Sequence, residues 1–222
     1  MVELKFNNSL KRFLTETTLV CLVSPTGVGK DTLINEVIKL RPQKFHAVKI
    51  LTSRPKRGWE SEDDYFFIKD QRDLFLRSKL QAGEVVNLTI NPSNSNIYGT
   101  IRDSFAANKL NLMPTLASSL PEIHRIPFGK IITISLSCSF EDWLDRVGDR
   151  VKSPDFKGRI KEGILSLRLS LKEQDRIWIL NDDLSLASEE LADFLLNSKH
   201  PSRSKEAKSE ALSLATELSK LI

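Results

Sequence analysis

The chain has 222 residues, enough for one large domain or for a core domain with a smaller lobe. A hydrophobic fraction of 40% and a charged fraction of 28% exclude disorder throughout, and no apolar run approaches the ~18 residues of a membrane-crossing helix. The 33 Lys and Arg against 29 Asp and Glu leave +4, too mild to point to nucleic acid but suited to a site for anions. Two cysteines, Cys21 and Cys138, lie in apolar runs and read as reduced core residues. The first residues lack the apolar stretch of a secretory signal, so the expected compartment is the cytoplasm.

The first clear element is TLVCLVS, residues 18–24, an apolar run of strand length that suits a strand buried on both faces. A glycine loop follows at once, then a helical pattern with Leu33, Ile34, Val37 and Ile38 on one face, stopped by Pro42. Further strands are expected at residues 47–52, 65–68, 85–90, 97–98, 130–136 and 177–180, with another at 110–116 that Pro114 weakens. Helices are expected at 70–81, with Leu74, Phe75 and Leu80 inward, and at 102–108, 140–150 and 184–196. Residues 164–171 alternate like a strand, but Ile160, Ile164, Leu167 and Leu171 also keep helical spacing without a turn signal, so helix is the expectation. After a Ser/Lys-rich linker, Ala211, Leu214, Ala215, Leu218 and Leu221 predict a last amphipathic helix. It packs on its own domain or serves self-association, the first being the commoner use of such helices.

The chemistry starts at Ser24-Pro25-Thr26-Gly27-Val28-Gly29-Lys30-Asp31-Thr32. Gly27 and Gly29 let the backbone turn successive N–H groups toward one anion. The helix N-terminus adds its dipole, and Lys30 can reach the outer phosphates. The strict phosphate-loop pattern, G-x-x-x-x-G-K-[ST], is broken at both ends. Ser24 stands for the first glycine, and Asp31 for the hydroxyl residue that faces Mg²⁺, which leaves Asp31 or Thr32 as the candidate metal ligand. A second cationic set, Arg54, Lys56 and Arg57, can clamp a phosphate, with Tyr65, Tyr98 and Thr100 adding hydroxyl donors. A third, Arg146, Arg150 and Arg159, flanks a helix break near Ser153-Pro154 and could close over a triphosphate. Surface ion pairing is the alternative for the arginines of that third set.

Taken together, SPTGVGKDTL, TSRPKRGWESEDDYFF, IYGT, RVGDR with Arg159, and WILNDD resemble the guanylate kinase family of P-loop nucleoside monophosphate kinases, from about residue 18 to about 198. The resemblance implies a three-layer α/β fold with a mostly parallel sheet, a GMP-binding-like lobe near 51–100 and a lid near 146–159, with 199–222 as linker and C-terminal helix. It implies transfer of the ATP γ-phosphoryl group to a nucleoside monophosphate, assisted by Mg²⁺, with no role for nucleic acid or membrane. By position, Lys30 and residues Thr26, Gly27, Val28, Gly29, Asp31 and Thr32 would hold the ATP phosphates, and Asn181 would lie near the adenine. Arg54, Arg57, Tyr65, Asn87, Tyr98 and Thr100 would hold the acceptor. Lys30, Arg146, Arg150 and Arg159 would act on the transferring group.

Three departures accompany the resemblance. The family's R-x-x-R-x-G-E loop reads Arg54-Pro55-Lys56-Arg57-Gly58-Trp59-Glu60 and is one residue shorter before Tyr65. Its guanine-reading Glu is Asn87, a neutral amide that cannot accept from guanine N1–H and the 2-amino group as well as an acid does. Its D-I-D-x-Q-G segment aligns with residues 114–119, PTLASS, which carry no carboxylate. Two other readings stay open on those departures. Ribose 1,5-bisphosphate phosphokinases also carry G-K-D, lack the acidic segment and resemble SSLPEI at 118–123. A catalytically impaired interaction module of the same fold is the other.

Overall fold

The computed structural model describes residues 4–58, 60–62, 64–90, 95–148 and 156–222. Its strands are β1 (Thr18–Val23), β2 (Phe45–Ala47), β3 (Ile50–Thr52), β4 (Tyr65–Phe67), β5 (Val85–Ile90), β6 (Ile97–Ile101), β7 (Leu110–Thr115), β8 (Lys130–Ser137) and β9 (Ile177–Leu180). Its helices are α1 (Asn8–Thr15), α2 (Lys30–Leu40), α3 (Leu74–Gln81), α4 (Leu120–Ile123), α5 (Phe140–Val147), α6 (Phe156–Lys172), α7 (Leu184–Asn197) and α8 (Ser204–Ser219).

Two sheets form. The larger is parallel throughout, in the order β2-β7-β1-β8-β9, so β1 lies at its centre with β7 on one side and β8 on the other. The alternation of β1 feeds two cores: Val20 and Leu22 join the cluster built with α2, α6, α7 and α8, while Leu19, Cys21 and Val23 join the one built with α1 and α4. That arrangement is the three-layer α/β fold the sequence implies. Ligands in such sheets sit beyond the C-terminal ends of strands where the order switches, which here is the end of β1. The smaller sheet, β4-β3-β6-β5, is mixed and packs its own core of Leu51, Ile68, Leu76, Val85, Ile97 and Ile101.

Several expectations are corrected. Residues 47–52 are not one strand. Phe45–Ala47 pairs with β7 in the large sheet and Ile50–Thr52 with β4 and β6 in the small one, so the chain changes sheets between them. The helix expected from residue 70 starts at Leu74, because the Asp73 side chain caps it by accepting from the Phe75 N–H. Leu74 and Phe75 then face outward, and Leu76 is the buried residue. Of 102–108 only Arg102–Ser104 is helical, as a single 3₁₀ turn, since the buried Asn111 side chain holds both Ala106 N and O in a loop. Pro114 does not interrupt the pairing of β7. Leu112 O accepts from Val48 N on the β2 side, and by alternation Pro114 faces that same side, where β2 has already ended, so its missing N–H costs no ladder bond.

Residues 156–172 are helical, as the 3.6-residue spacing predicts over the period-2 alternative. The apolar stripe of α8 is buried against α6, β9 and β8, with Ala207, Ala211, Leu214, Ala215 and Leu218 in the large core, while Leu221 lies beyond the helix and is exposed. The C-terminal helix therefore shares its core with the central sheet. Among the described residues no helix is long and apolar enough to cross a membrane.

Candidate active site

Residues 24–29 carry the chain from the end of β1 into α2. Gly29 stands at the N-cap with φ 94° and no side-chain cap, and Gly27 has φ 93°. Both angles lie in the left-handed region that suits glycine, and the uncapped first N–H groups of α2 are free to meet an anion. Steric crowding adds to the requirement: a Cβ on Gly29 would sit 2.7 Å from Asn181 Nδ2, and one on Gly27 3.0 Å from Trp143 Nε1.

Those neighbours brace the loop. Trp143 Nε1 donates to Thr26 O at 2.8 Å, and Asn181 Nδ2 donates to Val28 O at 2.7 Å. Arg146 Nη1 donates to Asn181 O at 2.7 Å and to Val28 O at 3.3 Å. A further tie comes from the C-terminal linker, where Arg203 Nη1 donates to both carboxylate oxygens of Asp182 at 2.7 and 2.9 Å. Asn181 and Arg146 thus reach the loop through its backbone, from behind.

Lys30 Nζ is within hydrogen-bond reach of three loop oxygens: Ser24 O at 2.6 Å, Ser24 Oγ at 3.1 Å and Pro25 O at 3.2 Å. The serine at the motif's first glycine position therefore supplies an acceptor for the lysine. Burial pushes the Lys30 amine below its ordinary pKa, while the charges of Asp31 and Glu162 act in the opposite direction. Asp31 and Thr32 are both exposed on the first turn of α2.

The acceptor candidates gather on one face of the small sheet. Strand alternation and register put Thr52, Tyr65, Phe67, Tyr98, Thr100 and Asn87 on that face, while Leu51, Phe66, Ile97, Gly99 and Ile101 point to the apolar core. A bulge between Val85 and Asn87 is what brings Asn87 opposite Thr100; an unbroken register from Val85–Ile101 would pair it with Gly99. Thr100 Oγ1 donates to Asn87 Oδ1 at 2.6 Å.

Arg54 follows β3 and is buried, paired bidentately with Glu60 at 2.7 and 2.5 Å, its guanidinium 4.5 Å from the Tyr65 ring centre. Glu60 also accepts from the Arg57 N–H at 2.9 Å. The hydrogen bond from Arg54, above all, holds the Glu60 carboxyl below its ordinary range. Tyr65 is pushed up, first by burial and then by the charge of Asp31, so this face lies within electrostatic reach of the start of α2.

The structure thus gathers Thr26 to Thr32 with Asn181 and Arg146 at one end, and Arg54, Arg57, Tyr65, Asn87, Tyr98 and Thr100 at the other. Arg159 lies on the first turn of α6, partly exposed. Arg150 lies outside the described residues, as do residues 149–155 of the expected lid, Trp59 of the arginine loop and residues 91–94. Sequence reasoning missed Trp143 as a brace, and missed Glu162 and Arg203 altogether. The available signal for Glu162 was an acid four residues before Ser166 on a helix whose neighbouring positions are buried.

A protein-family model described as Guanylate kinase matches residues 16–110, from just before β1 to the first residue of β7. The guanylate kinase of Geobacter sulfurreducens is 29% identical over 187 residues, covering 82% of this chain and 89% of its own. That of Trichormus variabilis is 26% identical over 176 residues, covering 76% and 84%. The crystal structure of guanylate kinase from Anaplasma phagocytophilum superposes with a TM-score of 0.56 at 19% identity, covering 85% of this chain and 88% of that one, and so shares its fold. The chain is similar to guanylate kinases over about four fifths of its length and shares their fold. Where the guanylate kinase pattern carries its acidic segment, this chain ends β7 in a 3₁₀ turn whose Ala117 N donates to Ser166 Oγ at 3.2 Å.

Proposed function

We propose that the protein is an ATP-dependent phosphotransferase of the guanylate kinase type, moving the γ-phosphoryl group of ATP to a nucleoside monophosphate, with GMP the first candidate. The relatives it matches are named guanylate kinases. The observation that carries the reading is the cradle of left-handed Gly27 and Gly29 opening α2, with Lys30 Nζ at its mouth. Phosphoryl transfer needs positioning and charge neutralisation more than covalent help from protein.

In this reading the N–H groups of Gly27 to Thr32 and the Lys30 amine hold the ATP phosphates, and Asn181 with Trp143 keeps the loop in shape. Lys30 exchanges its loop oxygens for phosphate oxygens on binding. Arg54 and Arg57 draw in the acceptor phosphate, aided by Tyr65 and Tyr98, while Asn87 and Thr100 face its base. Arg146, expected on the lid side, instead holds the loop backbone beside Asn181, and Arg150 and Arg159 are assigned to the lid side.

Mg²⁺ fits the donor set, which is hard oxygen from Asp31 or Thr32. Among the described residues no group of three or more His, Cys, Asp or Glu is placed to hold a metal. Bound with a nucleotide, Mg²⁺ takes most of its ligands from phosphates and water. When bound it supplies charge neutralisation between the phosphates. The two cysteines are free and buried, in keeping with a cytoplasmic protein.

Because Asn87 is neutral, GMP is expected to be used with weak discrimination over other monophosphates. A coupled ADP-release assay with GMP, dGMP, AMP, UMP and ribose 1,5-bisphosphate tests this. Turnover fastest with GMP or dGMP supports the proposal. Turnover of the bisphosphate alone, or tight nucleotide binding without any turnover, contradicts it.

A further inference from the structure

We infer that Glu162 is a positioning residue of the phosphate cradle, the counter-charge of Lys30 that makes this loop favour Mg²⁺-bound over metal-free nucleotide. The inference rests on the proposed ATP site and concerns how that site is tuned.

Helix α6 passes directly against the loop. A Cβ on Gly163 would lie 3.0 Å from Pro25 Cβ, and Pro25 O is 3.2 Å from Lys30 Nζ. Glu162, the residue before that contact, is half-buried; burial pushes its carboxyl above the ordinary range and the Lys30 amine below its own, and the opposite charge of each offsets part of the other's shift. The carboxylate is oriented as well as near. Its Oε1 accepts from Ser166 Oγ at 2.7 Å, and the same hydroxyl accepts from Ala117 N at 3.2 Å. Ser166 is buried, so a hydroxyl anchored to the segment after β7 fixes the acid beside the loop. Residues 114–119 of that segment bring no carboxylate of their own. The other acid acting on Lys30, Asp31, is exposed to solvent on α2.

The consequence is electrostatic. A nucleoside triphosphate brings several negative charges to Lys30, and a fixed carboxylate beside the lysine repels them in a partly desolvated place. Two positive charges on the nucleotide offset that repulsion. Removing the carboxylate should therefore strengthen binding of the bare anion, an effect opposite in sign to that of structural damage.

Calorimetric titration of ATP, in EDTA and in Mg²⁺, into wild-type protein and Glu162→Gln reads this out. We expect Glu162→Gln to bind ATP in EDTA about tenfold more tightly than wild type, with a correspondingly smaller gain from Mg²⁺. Glu162→Asp, which keeps the charge, should keep the wild-type ratio of the two affinities. Glu162→Ala serves in place of the Gln variant if thermal melting shows that variant unfolded, with the same expectation. Metal-free affinity unchanged or weakened in the folded neutral variant overturns the inference while leaving the ATP site intact. A wild-type protein that binds ATP under neither condition overturns the proposed function itself.

Discussion

The phosphate loop is held by residues from far along the chain, whereas the acceptor face is tied together locally. Trp143 is 117 residues from the Thr26 carbonyl it holds, and Asn181 is 153 residues from Val28. On the small sheet, Arg54 and Glu60 are six residues apart, and Asn87 and Thr100 thirteen. The loop therefore takes its shape only once β1, β8, β9 and the helices around them have assembled. The acceptor face rests on one bulge, one buried ion pair and a small core of its own. Changes in the first region should damage stability and nucleotide binding together; changes in the second should alter the acceptor and leave ATP alone.

The strongest way to break that contrast is Gly29→Ala. The left-handed φ costs about 1–2 kcal/mol for a non-glycine residue, and the new Cβ meets Asn181 Nδ2 at 2.7 Å. Melting should fall by at least ~4 °C, and ATP binding should be lost. Next comes Asn181→Ala, which removes the shorter of the two side-chain hydrogen bonds to the buried Val28 carbonyl and leaves the longer one from Arg146, at a cost of about 1 kcal/mol. Calorimetry should show ATP affinity down about tenfold, with acceptor KM little changed.

In the lobe, Arg54→Ala should raise acceptor KM about 30-fold, the scale of a lost charged hydrogen bond, with ATP affinity within about twofold of wild type. A drop in ATP affinity alone would reverse the roles of the two regions. Glu60→Gln breaks the same pair from the other side and should cost about 3 kcal/mol of lobe stability. The sign with pH follows from the depressed carboxyl. Its stabilisation is whole above the ordinary glutamate value, is lost as pH falls through the lowered one, and should be absent from the Glu60→Gln melting profile. Gly163→Ala should have the smallest effect. Better helix propensity, about 1 kcal/mol, is offset by crowding against Pro25, so stability should move by less than about 1 kcal/mol and ATP affinity fall no more than about threefold.

The same contrast explains what could be read from the sequence. The strand, glycine loop and helix of residues 18–40 are contiguous, and their signals are chemical: an apolar run, two glycines and a lysine. Helix α6 was legible because Ile160, Ile164 and Leu167 keep one face. Tyr65, Tyr98 and Thr100 could be named from their hydroxyls on short strands, whereas Asn87 came only from the resemblance. What was not legible depends on pairing between distant segments. Nothing local says that Phe45–Ala47 and Ile50–Thr52 serve different sheets, or that β2 ends before Pro114 needs a partner. The bulge before Asn87 is a matter of register, and Trp143 reads as core because most of its ring is core. Glu162 reads as one more helix-surface acid until α6 is seen to cross Pro25.

The most direct test of the phosphate cradle is calorimetric titration of Mg²⁺·ATP into wild-type protein and Lys30→Ala. The account predicts saturable binding to wild type and at least about a 100-fold loss in the variant, with both proteins melting within a few degrees of each other. Equal ATP affinity in the two folded proteins would contradict it.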